Sequence, residues 1–258
     1  NALKNTLENL QNGNLSKEPI PEAKAGSCVV LDVETGEVLA MASYPTYNIN
    51  SFTDGISNTE WKQLINDNQK PMFNRAISGT YSPGSTYKML VGLAGLESGG
   101  ITVDEIYTDP GIYPHAYNPK CWIYTSHNIT HGDINLAGAI KGSCNCYFYE
   151  VGRRIGIDSI VDWAKNFGLG QKTGIELSGE ANGKIAGNDV KEWSLGDTLS
   201  ASIGQSTNLY TPLQLANYIS TIANGGMLNK VSLIKNVENN ITSVSLSEIL
   251  EYTKQFTG

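Results

Sequence analysis

Tyr81-Ser82-Pro83-Gly84-Ser85-Thr86-Tyr87-Lys88 decides how this chain is read. The Pro-Gly pair stops the backbone and re-aims it. An apolar run with helical spacing then opens at Ser85, continues through Met89, Leu90, Leu93 and Leu96, and ends at Gly99-Gly100. Ser85 is thereby placed at a helix start, with Lys88 one turn on and on the same face. A serine hydroxyl is a weak nucleophile until a neighbour takes its proton, and a partly desolvated lysine can do this as its neutral amine. The free amide donors and positive dipole of a helix start favour an anion forming at Ser85. The pattern points to acyl transfer through a serine ester. A second S-x-x-K, Ser232-Leu233-Ile234-Lys235, lies in an alternating stretch, where a strand would put the two side chains on opposite faces. It lacks the turn-then-helix context that the chemistry needs.

Size and composition bound the remaining choices. With 258 residues the chain fits one large domain, or one domain with an appendage. Apolar content of 40% and charged content of 17% are those of a soluble globular protein. The net charge of −7, with no basic patch, argues against nucleic acid as a partner. No apolar run approaches the roughly 20 residues that span a bilayer. No signal peptide is visible, and the start at Asn1 leaves room for a targeting segment upstream. Four cysteines, Cys28, Cys121, Cys144 and Cys146, do not make a dense disulfide framework.

Residues 1–24 read as a polar helical lead-in and linker, either a frayed terminus or a connection to an upstream domain. The stretches 27–33 and 37–43 flank Glu34-Thr35-Gly36 and predict a β-hairpin. A short helix is predicted around Trp61–Ile65, and others over 135–141, over 146–155 and from an Asp158 cap through Trp163 to Gly168. Thr211-Pro212-Leu213-Gln214 is a capping box with proline at the first helical position, and its helix runs to Gly225-Gly226. Residues 230–237 read as a strand. The coarse class is an antiparallel sheet with helices packed on it.

Ser143-Cys144-Asn145 falls between two helical runs, where a hydroxyl and an amide point the same way. Serine can relay a proton there, and asparagine can bind a substrate amide. The tripeptide alone is weak, since Ser126-His127-Asn128 and Ser206-Thr207-Asn208 match it equally and default to caps or turns. Longer stretches carry more. AGSCVVLDVETGEVLAMASYPTYN (25–48), NRAISGTYSPGSTYKM (74–89), HGDINLAGAIKGSCNCYFYEVGRRIG (131–156), FGLGQKTGIELSGE (167–180) and SIGQSTNLYTPLQLANYISTIANGG (202–226) together resemble the transpeptidase domain of class B penicillin-binding proteins.

The resemblance implies that family's α/β fold, an antiparallel sheet with helices on both faces, over residues 25–258 and incomplete at the C-terminus. It implies Ser85 as the acylated nucleophile, Lys88 as its base, Ser143 as a proton relay and Asn145 as the substrate-binding amide. The Ser85 backbone amide would form half of an oxyanion hole. The implied reaction needs no cofactor. It joins peptidoglycan stem peptides ending in D-Ala-D-Ala, and β-lactams trap the same serine. The implied setting is the outer face of the bacterial cytoplasmic membrane, reached through an N-terminal anchor outside this chain, among glycosyltransferase and other cell-wall synthesis machinery.

One departure stands out. The family uses a third element, a K-[ST]-G triad on a core strand, and the sequence offers Lys172-Thr173-Gly174, only 27 residues after Asn145 and inside a stretch that the resemblance identifies as a surface landmark of the family. Nothing after residue 230 fits the triad, so these residues alone are expected to acylate poorly. A sensor or non-catalytic relative that binds β-lactam or cell-wall peptide remains an alternative, as does a serine β-lactamase. Separately, Cys121, His131, Asp133 and Cys146 lie around the Ser143 loop, with Cys144 and His127 nearby. Sulfur plus imidazole suits zinc, which would rigidify the Asn145 loop. The alternatives are buried small hydrophobes with a loop-fixing histidine, or a Cys121–Cys146 disulfide.

Overall fold

The computed structural model describes residues 1–187 and 192–235. The predicted hairpin forms from β1 (Gly26–Leu31) and β2 (Val38–Tyr44), paired antiparallel with an irregularity between Val30 and Leu31. Its turn is shaped by Asp32, whose Oδ1 accepts the backbone N–H groups of Glu34 and Thr35, each at 3.0 Å. Alternation then sorts the side chains. Val29, Leu31, Val38 and Met41 pack on a small core of Ala76, Ile77, Ile175, Leu213 and Val231, while Cys28, Val30, Ala40 and Ala42 are exposed. The lead-in forms α1 (Ala2–Gln11) and docks on the hairpin through buried Leu7, with Gln11 donating to the Ala23 carbonyl at 3.0 Å. It is tied down rather than frayed.

The main core is helical. The apolar runs form α3 (Lys88–Glu97), α6 (Asn145–Asn166), α7 (Leu195–Ser202) and α8 (Pro212–Ala223), and α6 packs against both α3 and α7. Tyr87, Leu90, Val91, Phe148, Ile160, Leu199 and Tyr218 are all fully buried among them. Gly156, at φ 74°, ψ 169°, divides α6 near where the sequence separates two helices. The Thr211 capping box is present: Gln214 N–H donates to Thr211 Oγ1 at 3.1 Å, and Thr211 N–H donates to Gln214 Oε1 at 2.8 Å. Helix α8 lies against β1. The helix expected near Trp61 is α2 (Asn58–Asn66), capped by Ser57. A second two-stranded antiparallel sheet joins β3 (Tyr107–Thr108) to β4 (Asp133–Ile134), and around it lie α4 (Trp122–His127) and α5 (Leu136–Lys141).

The strand expected over 230–237 is not present in the part described. Residues 230–235 make a single parallel bridge, Ser232 to Glu37. The Glu176 carboxylate accounts for this: it accepts the Ser232 hydroxyl at 2.8 Å and the Leu233 amide at 2.9 Å, capturing groups that a ladder would align. Residues 236 and 237 lie outside the described residues. Ser232 and Lys235 do not meet as a pair; Lys235 is largely exposed and reaches Glu37 at 3.4 Å.

The turn before α3 is held from behind by a loop that follows α7. Gly84 N–H donates to the Gly204 carbonyl at 3.0 Å. Gly204 has φ +74°, and a Cβ there would stand 2.1 Å from the Gly84 oxygen. Neither the conformation nor the space admits a side chain. Gly204→Ala is expected to cost about 3 kcal/mol, read as a fall in thermal midpoint.

Candidate active site and metal cluster

Ser85 lies in a 3-10 turn, Gly84–Tyr87, that leads directly into α3 at Lys88. The helical start read from sequence is thus a tighter turn first, with the Lys88 N–H closing on the Ser85 carbonyl. Ser143 enters from the loop between α5 and α6. That loop is over-determined: Ser143 N–H donates to the Ile140 carbonyl at 3.1 Å and Cys144 N–H to the Ala139 carbonyl at 2.9 Å. Ser143 itself sits at φ +52°, a left-handed conformation uncommon outside glycine and asparagine. The neighbouring bonds hold it there.

These elements bring Ser85, Lys88, Ser143 and Asn145 together. The Ser85 and Ser143 hydroxyls are hydrogen-bonded at 2.9 Å. Lys88 Nζ lies 3.1 Å from Ser143 Oγ, and donates to the Ser143 carbonyl at 2.7 Å and to Asn145 Oδ1 at 2.6 Å. The lysine's hydrogen bonds therefore go to the 143–145 loop, and it meets Ser85 through Ser143. The expected direct approach of Lys88 to Ser85 becomes a chain of three groups.

Lys88 is only 2% exposed. Burial is the main cause that pushes its ammonium down to about 8, against the opposing pull of nearby Cys121, Cys144 and Cys146. The three contacts fit the neutral amine well. Two N–H groups satisfy the Ser143 carbonyl and Asn145 Oδ1, which can only accept, and the lone pair is left facing the Ser143 hydroxyl. In that state a proton can pass from Ser85 to Ser143 and from Ser143 to Lys88.

The other S-x-N matches are structural. Ser126 Oγ donates to the Trp122 carbonyl at 2.9 Å, and Asn128 ends α4 in a left-handed conformation. Asn208 is buried and accepts the Ala186 amide at 3.0 Å. Lys172-Thr173-Gly174 is also taken: the Thr173 amide and hydroxyl donate to Glu180 Oε1 at 2.6 and 2.7 Å, and the Gly174 amide donates to Glu180 Oε2 at 3.2 Å. An internal carboxylate fills this loop.

A second cluster stands directly behind the 143–145 loop. Ligand atoms of Asp109, Cys121, His131 and Cys144 all lie within 4.8 Å of one another, and three of the four residues are buried. The set differs from the one expected by sequence. Asp133 stays on β4, where its carboxylate accepts the Thr108 hydroxyl at 2.6 Å. Asp109 takes the place beside His131, with Oδ2 2.8 Å from Nδ1. Cys146 is buried nearby but is not among the four. All four cysteines of the chain are free, so Cys121 and Cys146 are not bridged.

The polar details suit a cation. His131 Nε2 lies 2.9 Å from the Gly142 carbonyl, which requires N–H at that position and leaves Nδ1 to face the cluster. Backbone amides point at the sulfurs, Asn145 N–H to Cys121 Sγ at 3.3 Å and Tyr147 N–H to Cys144 Sγ at 3.5 Å. Hydrogen bonds from the neighbouring Cys144 and Cys146 side chains lead the causes that push the Cys121 thiol down. Burial raises the Asp109 carboxyl, but the His131 and Gly111 amides outweigh it and hold the group low. Asp109 was missed in the sequence because Asp-Pro-Gly reads as a turn. It also serves as one, its Oδ1 accepting the Gly111 amide at 2.9 Å.

Residues 26–255 match the penicillin-binding protein transpeptidase domain. The chain belongs to that family. It is 38% identical over 222 residues to the peptidoglycan D,D-transpeptidase MrdA of Haemophilus influenzae, covering 83% of this chain and 34% of that protein. Among solved structures, Pseudomonas aeruginosa PBP2 in complex with WCK 5153 aligns with a TM-score of 0.78 at 32% identity, over 94% of this chain and 54% of the other. PBP2 of Helicobacter pylori, solved in complex with MreC, aligns with a TM-score of 0.77 at 31% identity, over 99% of this chain and 46% of the other. The chain thus spans about a third of its curated relative. The penicillin-binding transpeptidase fold read from the sequence is the fold of these neighbours, and the described helices and antiparallel sheets are its parts.

Proposed function

We propose that the protein carrying this domain is a peptidoglycan D,D-transpeptidase that works through an acyl-enzyme on Ser85. The observation that carries the reading is the hydrogen-bonded chain from Ser85 through Ser143 to a buried Lys88. The Ser85 hydroxyl attacks the carbonyl before the terminal D-alanine as its proton passes to Ser143 and on to neutral Lys88. The proton then returns to the departing D-alanine nitrogen. An amine from a second stem peptide repeats the sequence in reverse and takes the acyl group. Asn145, already turned toward Lys88, would bind the substrate amide. A β-lactam would enter the same path and leave a slowly hydrolysed ester.

The H. pylori neighbour's complex supports cell-wall assembly proteins as partners. The substrate lies outside the cytoplasm, so the domain would act at the outer face of the cytoplasmic membrane. No described helix is long and apolar enough to cross a membrane, so the anchor would lie elsewhere in the protein.

The test is labelling of the full-length protein with fluorescent penicillin, with the adduct mapped by mass spectrometry. The label is expected on Ser85, to persist for hours, and to be absent from Ser85→Ala. D-Alanine release from a D-Ala-D-Ala peptide should follow the same pattern. Labelling elsewhere, or none, refutes the reading, and rapid loss of the ester points to a β-lactamase. The pH profile is a second check. The base is the neutral amine, with a pKa of about 8. Acylation should rise about fivefold from pH 7 to 8 and level off above 9.

A metal reading rests on the second cluster. Asp109, Cys121, His131 and Cys144 offer the one-carboxylate, one-imidazole, two-sulfur set that zinc accepts in tetrahedral sites. Zinc held there would act as a structural clamp on Gly142–Asn145 and supply no reacting group. This domain's own residues do the proton transfers.

A further inference from the structure

The nucleophile turn is 3-10 over Gly84–Tyr87, after Pro83, and becomes α from Lys88, so the change of pitch falls between Ser85 and Leu90. A residue far along the chain supplies a cause. Tyr218 on α8 is fully buried, and its hydroxyl accepts the Leu90 N–H at 3.1 Å and donates to the Thr86 carbonyl at 3.0 Å. Thr86 C=O and Leu90 N–H are the pair that a regular α-turn would join directly. A side chain inserted into that ladder is one of the few things that reshape a helix locally. The flanking residues of the turn are fixed too, since Thr86 Oγ1 donates to the Pro83 carbonyl at 2.8 Å.

The phenol suits this position. Its ring packs edge-on against Phe167, with centroids 5.4 Å apart, so the aromatic body is anchored independently of the hydroxyl. Burial drives its ionisation well above the usual tyrosine range, which keeps the O–H available to donate. Both groups that the hydroxyl bridges lie within two residues of the catalytic pair, Thr86 after Ser85 and Leu90 after Lys88.

We propose that Tyr218 is a positioning residue for acylation, its hydroxyl wedged between the Thr86 carbonyl and the Leu90 amide so that Ser85 stands at bonding distance from Ser143 while Lys88 reaches the 143–145 loop. Without the wedge, Leu90 N–H is free to close on Thr86 C=O, and the turn carrying Ser85 widens towards α geometry and rotates. The inference rests on the transpeptidase reading of Ser85.

The test uses the full-length protein and the penicillin acylation assay. Wild-type labelling at Ser85 comes first; its absence would sink the transpeptidase reading and not the wedge in particular. Tyr218→Phe keeps the ring and deletes the hydroxyl. It is expected to slow the chemical step of acylation by tenfold to about a hundredfold, with little change in the penicillin concentration that half-saturates the rate. Phe167→Leu is the counterpart, removing the ring contact while leaving the hydroxyl. It should lower the thermal midpoint yet keep acylation within about threefold of wild type. Acylation by Tyr218→Phe within twofold of wild type overturns the proposal. So does a slowing in both variants that merely tracks their loss of thermal stability, or failure of Tyr218→Phe to fold at 25 °C, since each makes the hydroxyl a stability element only.

Discussion

Replacing Lys88 with methionine is expected to slow acylation of Ser85 by about a thousandfold or more while the domain stays folded. Methionine follows the same apolar path as the lysine stem past Phe148, whose ring centre lies 5.7 Å from Nζ. The substitution removes the only group in the Ser85–Ser143 chain that can hold the extra proton near neutral pH. It also leaves the Ser143 carbonyl and Asn145 Oδ1 without their donor, at a cost of about 1–3 kcal/mol. That loss is partly offset because a desolvated ammonium is no longer buried. Thermal stability should therefore change little while chemistry fails. Lys88→Arg should fail equally, because guanidinium does not release its proton at these pH values. Timed mass spectrometry of the penicilloyl adduct measures both variants. Acylation within tenfold of wild type in Lys88→Met would show that another group takes the proton.

Removing the zinc proposed for the cluster behind the 143–145 loop should have the second-largest effect. Protein purified without chelators is expected to carry close to one zinc per chain by elemental analysis, and His131→Ala less than a tenth of that. Removing the imidazole in His131→Ala also frees the Gly142 carbonyl and leaves Trp122 Nε1, 3.1 Å away, as its remaining side-chain partner. Ser143 would then leave its left-handed conformation more readily, and acylation should fall between tenfold and a hundredfold. The thermal midpoint should fall as well, because binding free energy at such a site is folding free energy. Untreated wild-type protein with less than a tenth of an equivalent of zinc would end the metal reading. The cluster would then be a buried His131–Asp109 pair, in which partnership with Asp109 outweighs burial and keeps the histidine's affinity for a proton raised.

The elements that carry the candidate site were legible because each is local. A Pro-Gly turn, a helical run and a capping pattern each occupy a few consecutive residues, and S-x-x-K and S-x-N lie inside them. Which group touches which was less legible. The three-residue spacing of Ser85 and Lys88 suggests direct contact, but the buried amine turns toward two acceptors on another loop and reaches Ser85 through Ser143. Asp109 was hidden because a single side chain can shape a turn with one oxygen and face a histidine with the other. The alternation of 230–237 read as a strand, and a carboxylate from elsewhere in the fold redirected its described part. Tyr218 carried no signal at all, since a tyrosine on the apolar face of a helix is ordinary core until coordinates show where its hydroxyl ends.

The contact between Gly84 and Gly204 couples two loops that are remote in the chain. Any residue larger than glycine at 204 would force 84 to retreat, and 84 cannot retreat without dragging its neighbour, Ser85, away from Ser143. Because the obstruction is the main chain of 84 and not its side chain, no exchange at 84 can make room, and a variant library that randomises 204 alone should return almost nothing but the starting residue.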